Sequence, residues 1–167
     1  KPFYINVLFV AWTLYNCTSQ QALTQNHFFG TPIVRNYTTE NFKGGIQSWG
    51  FTQDDQEILY IANNFGLLRF DGNTWSLYPV KNGTKVRSVL VGEQGNVYVG
   101  SQADFGYFAP DPMGRLQYFS LADSLPEVHR NFDEVWRIFK IGKQVFFLTF
   151  KNIYAYTPGT PLKVISP

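Results

Sequence analysis

A single cysteine, Cys17, in 167 residues excludes an internal disulfide framework and a zinc cluster built from thiolates. Histidine is nearly as scarce. His27 and His129 stand alone in loop-like sequence, so neither has the partners that a metal centre or a general base needs. Charged residues make up 16% of the chain, and 14 basic against 12 acidic residues leave +2 with no basic cluster, which removes a nucleic-acid face. Ser48, Ser88 and Ser101 have no His and Asp with a reason to converge on them. The glycines are scattered at turn positions, without a phosphate-loop pattern or a Lys-Ser or Lys-Thr ending. No catalytic residue, metal ligand or cofactor is therefore expected.

Phe3 to Tyr15, "FYINVLFVAWTLY", is a largely apolar run of thirteen residues, short of the ~18 that a spanning helix needs. It follows Lys1 and precedes the small and polar "NCTSQQALTQN", the order of a secretory signal. Residues 1–19 read as most of a signal peptide, with Cys17 and Ser19 at the small-residue cleavage positions and the true N-terminus upstream. Leu14, three residues before Cys17, makes a lipoprotein signal the alternative, although Asn16 is a poor match beside the cysteine.

The 16 Phe, 10 Tyr and 4 Trp lean toward strand, and 14 Gly with 9 Pro supply turns. "ILYIANNFGLLRFDGNTW" (58–75) reads as strand, turn, strand, turn, strand. The pattern recurs in "NVYVGSQADFGYFAPD" (96–111) and in "QVFFLTFKNIYAYTPG" (144–159). Tyr60 and Tyr98 lie 38 positions apart, as do Phe70 and Phe108; Tyr98 and Phe146 lie 48 apart, as do Phe108 and Tyr156. The ten extra residues fall between the matched strand pairs, as they do in repeats with variable loops. One apolar run precedes each pair and one follows it, so each unit has four strands in ~40–50 residues, the pattern of a propeller blade. The fold expected is all-β, a partial β-propeller of about three four-stranded antiparallel blades (46–80, 84–121 and 133–166) whose ring does not close within the chain. Residues 20–45 form a lead-in, and "TPIVRNYTTE" (31–40) would suit a ring-closing strand with Ile33, Val34 and Tyr37 facing inward.

"VRSVLVGEQGNVYVGSQADFGYF" and "ILYIANNFGLLRFDG" resemble the regulator-propeller repeats of bacterial two-component and one-component sensors, particularly in Bacteroidetes. The lead-in "NYTTENFKGGIQSWGFTQD" is similar to that of a subgroup of them. The resemblance runs from about Thr31 to Pro167. It implies an extracytoplasmic sensor propeller, on the periplasmic or extracellular side of the inner membrane. Further blades, an immunoglobulin-like domain, a transmembrane helix and a kinase or helix-turn-helix output would follow in the same protein. It also implies that the three Asn-x-Thr triplets, at Asn16, Asn36 and Asn82, glycan acceptors in a eukaryotic secreted protein, are chance matches.

Propellers bind ligands where the inner strands meet the channel mouth. Gln47, Trp49, Arg87, Trp136 and Arg137 stand at the starts of the inner strands, and they combine stacking faces with directed hydrogen bonds, the mix of a polar-ligand pocket. The alternative is that the tryptophans are inter-blade core and the arginines packing or surface residues. Asn63, Asn64, Gln102 and Asp104 read as turn formers; Asp54 to Glu57 and the Asp133-Glu134 pair read as solvated turns. The function expected is non-catalytic sensing of a carbohydrate or other polar small molecule, with a homodimer in the full-length protein. The rivals are a fragment of a secreted propeller lyase or hydrolase acting on polysaccharides, and a protein-binding propeller scaffold.

Overall fold

Alternating apolar and polar residues between tight turns generate twelve strands in the computed structural model, which describes residues 33–166. Asn36–Pro167 forms one compact unit. The expected signal sequence and Cys17 lie outside the described residues.

The first sheet comprises β1 (Ser48–Gln53), β2 (Leu59–Asn63), β3 (Gly66–Phe70) and β4 (Trp75–Tyr78). The second comprises β5 (Val86–Val91), β6 (Val97–Ser101), β7 (Phe105–Pro110) and β8 (Leu116–Ser120). The third comprises β9 (Arg137–Ile141), β10 (Gln144–Leu148), β11 (Ile153–Tyr156) and β12 (Lys163–Ile165). Each is an antiparallel meander in sequence order, so the chain folds as three consecutive blades without a closed ring.

The hairpins are made by local chemistry. Asp54 Oδ1 accepts the backbone N–H of Gln56 and of Ile58, each at 2.9 Å, and Tyr60 O–H donates to Oδ2 at 3.2 Å, which closes the β1–β2 turn. At the start of β3, Gly66 has φ 137°, and a Cβ there would collide with the carbonyl oxygen of Tyr78; glycine is required at this position.

Apolar side chains fill two layers, one between each pair of adjacent blades. Tyr60, Ala62, Leu67 and Val80 meet Val86, Val97, Val99 and Phe108 between blades one and two. Tyr98 and Phe105 meet Val145, Phe147 and Tyr154 between blades two and three. The middle blade is covered on both sides, which is why all five residues of β6 are buried while β10 alternates. A fully buried side chain of this size contributes about 1.5–3 kcal/mol.

The repeat register holds in space. Tyr60 pairs with Arg69, Tyr98 with Tyr107 and Phe146 with Ala155. Tyr60 and Tyr98 each pack toward the following blade. Phe146 occupies the same place on the third blade, stays half-exposed, and stacks on Phe139 at 4.8 Å between centroids. The extra residues between blades two and three form 3-10 turns at Ala122–Ser124 and Glu127–His129. They lay Ala122, Leu125 and Phe132 onto the second layer as additional core.

Residues 33–38 carry no strand, and Ile33 and Val34 are exposed rather than facing inward. A strand needs an edge to pair with, and the last blade of a ring is not among the three sheets. Tyr37 instead packs edge-on against Phe70 and Trp75, at 5.1 and 5.3 Å. Phe42, at the end of the short helix α1 (Thr39–Phe42), joins the same aromatic group.

Candidate functional site

The inner strands carry a feature absent from the sequence pattern. In β1 the register skips from Ser48 to Gly50, and in β5 from Val86 to Ser88. Trp49 and Arg87 are therefore the extra residues of two equivalent β-bulges, and bulges re-aim side chains. Trp136 stands at the matching place just before β9, because Arg137 pairs with Leu148 where Ser88 pairs with Gly100.

These three equivalent residues meet. The Arg87 guanidinium carbon lies 3.7 Å from the Trp49 ring centroid and 5.1 Å from that of Trp136, cation–π geometry on two rings. One row thus crosses all three blades. Both tryptophans keep open surface, 41% for Trp49 and 40% for Trp136. Trp49 Nε1–H donates to Asn64 Oδ1 at 2.9 Å, and Asn64 Nδ2–H donates to Gln47 Oε1 at 3.3 Å. Gln47 is thereby tied to the row through Asn64. Arg137, the first residue of β9, is exposed and directly follows Trp136. Phe150 packs on Trp136 at 5.3 Å.

Glu134 holds the centre. Its Oε1 accepts from Arg87 Nη2–H at 3.0 Å and lies 2.6 Å from Lys85 Nζ, and its Oε2 is 2.8 Å from Arg87 Nε. The last approach is a charge contact whose angle misses hydrogen-bond geometry. Burial pulls the Glu134 carboxyl upward, but hydrogen bonds and charge from Arg87 and Lys85 outweigh it and keep the value below the usual one. The residue is 4% exposed, so the solvated-turn reading is corrected. The segment is stitched to the second blade by Val135 N–H to Ser101 O at 3.1 Å and Ser88 Oγ–H to Val135 O at 3.0 Å. Burying a lone charge is costly, and a matched cation on the neighbouring blade makes the position tolerable.

Asn63 and Asp104 also do more than shape turns. Asn63 is fully buried; its Oδ1 accepts from Gly45 N–H at 2.7 Å and its Nδ2–H donates to Gly45 O at 2.8 Å, tying the lead-in to β2. Asp104 is buried as well, accepting from Ser120 Oγ–H at 2.7 Å and Tyr118 O–H at 2.9 Å. Burial raises the Asp104 carboxyl above its ordinary 3.8, against the hydrogen bonds from Ser120, Tyr118 and the Phe105 amide, which lower it. An acid with a raised folded-state value favours the fold when protonated. Its contribution is full below the unfolded value and is lost as pH rises through the folded one. Thermal melts between about pH 4 and 7 are expected to show a fall in stability that Asp104→Asn reduces; an identical slope in the variant would discard this assignment.

A cavity of about 890 Å³ lies elsewhere, between the β1–β2 and β5–β6 turns, lined by Asp54, Tyr60, Arg69 and Glu93 among others. A smaller, mostly apolar hollow of about 520 Å³ adjoins Trp49 beside Phe51, Leu59 and Ile61. Among the described residues no group of three or more His, Cys, Asp or Glu could hold a metal ion.

No family model matches the chain, and no curated protein does. Solved structures do. The extracellular domain of the one component system BT4673 of B. thetaiotaomicron superposes with a TM-score of 0.53 at 19% identity, over 72% of this chain and 15% of that one. A second structure, named for the hybrid two component system BT4673, gives 0.55 at 18% identity, over 75% and 16%. The extracellular domain of the hybrid two component system BT3049 of the same organism gives 0.55 at 17% identity, over 80% and 17%. At 17–19% identity the likeness is one of fold: these three sheets, the blades of a partial β-propeller, superpose on those extracellular domains, and the chain spans about one-sixth of their length.

Proposed function

We propose that this chain is an extracytoplasmic, ligand-sensing propeller segment of a transmembrane signal-transduction or transcriptional regulator, without catalytic activity. The single observation that carries this reading is the row of Trp49, Arg87 and Trp136, three equivalent inner-strand positions converging on one exposed aromatic surface. The shared fold with extracellular domains of regulatory systems supports the sensor role. The ligand is a carbohydrate or another polar small molecule, held by Trp49 and Trp136 with Gln47, Arg87 and Arg137 at the rim. Further blades and an output domain act with it in the same protein, and the full-length receptor works as a homodimer after export. A lyase or hydrolase reading is disfavoured, because Glu134 at this mouth is consumed by Lys85 and Arg87 and so is not poised for proton transfer.

Calorimetry with glycan panels on the complete ectodomain tests the proposal. Aromatic stacking contributes on the order of 1 kcal/mol, so Trp49→Ala and Trp136→Ala are each expected to weaken binding several-fold. Because Trp49 also faces Arg87, thermal melts must accompany the titrations. Unchanged affinity in two well-folded variants would reduce both rings to packing.

A further inference from the structure

If the row is the ligand surface just proposed, its charges say what the ligand carries. Lys85 and Arg87 share one carboxylate, Glu134. Glu134 and Arg87 keep 5% and 11% of their side-chain surface, while Lys85 keeps 29%. Asp133 precedes Glu134, but its side chain stands in water, where it is screened and compensates a buried neighbour poorly. Arg87 Nη1 is buried without an acceptor. On the Trp136 side, Lys151, next to Phe150, donates to the Asn131 carbonyl at 3.4 Å and not to a carboxylate. The centre of the row therefore holds one more cation than anion, in a setting where water screens it weakly.

We infer that the ligand is anionic, a carboxylate-bearing ring of the uronic-acid class. Its ring face lies on a tryptophan, and its carboxylate meets Lys85, the more exposed of the two cations, with the buried Arg87 charge behind it. A neutral sugar would use the stacking faces and leave the excess charge unmatched. An anion without a ring would do the reverse.

Tryptophan fluorescence titrations of the complete ectodomain with trigalacturonate, neutral galactotriose and citrate separate these cases. Trigalacturonate is expected to bind at least ~10-fold more tightly than galactotriose at low salt, and the advantage is expected to shrink at about 0.5 M salt as screening grows. Lys85→Gln is expected to narrow the gap below ~3-fold. Galactotriose binding as tightly as trigalacturonate would overturn the charge assignment while leaving the sensor reading intact. Citrate matching trigalacturonate would overturn the ring. Failure of every probe, with the fold intact, would remove the inference together with the site on which it rests.

Discussion

Glu134→Ala is expected to destabilise the protein by about 3–5 kcal/mol, the cost of leaving a buried cation without its partner. Arg87 is the cation stranded: 11% of its side chain is exposed, and its carboxylate contacts, at 2.8 and 3.0 Å, are to Glu134. The loss is expected in urea denaturation midpoints and also in the emission of Trp49 and Trp136, which flank the guanidinium. Glu134→Gln keeps the shape and loses the charge, and belongs between wild type and alanine. The acid limb carries a sign of its own. The Glu134 carboxyl is held below its ordinary 4.5, so its stabilisation is present above that value and is lost as pH falls through the folded-state value. A Glu134→Ala variant within ~0.5 kcal/mol of wild type would mean that the ion pairs contribute nothing to holding the three blades in register.

The second large effect lies in the layer between blades two and three. Phe105 is fully buried, with ring centroids 4.7 Å from Phe147, 4.9 Å from Tyr154 and 5.6 Å from Phe132. Phe105→Ala is expected to cost about 3–5 kcal/mol, the range for deleting a core phenylalanine into a rigid surround. Phe146→Ala in the same chain is expected to cost markedly less, because Phe146 is half-exposed and packs chiefly on Phe139. Equal costs for the two substitutions would contradict the assignment of which blade faces are covered.

The blade pattern was legible in the chain because it is local. A strand needs alternating or continuous apolar residues, and a hairpin needs Asn, Asp or Gly at a turn, and both demands are met within about ten residues. The offsets of 38 and 48 then located the repeats, and Tyr60, Tyr98 and Phe146 do occupy matching ladder positions. Residue types at the inner strand starts singled out Trp49, Arg87 and Trp136. Their convergence was not legible. It depends on one-residue bulges at Trp49 and Arg87, and a bulge has no composition of its own when the residue is a tryptophan or an arginine.

Glu134 shows the same division most clearly. In the sequence it is an acid beside another acid before a strand, the composition of a solvated turn. Only folding brings Lys85 and Arg87, forty-nine and forty-seven positions away, against it. The sequence by itself determined the strands, their turns, the repeat and the aromatic residues available to a mouth, since each of these follows from neighbours along the chain. The tertiary structure alone decided which acid is buried, which cations share it and how two indoles flank one guanidinium, because burial and pairing depend on separate blades packing face to face.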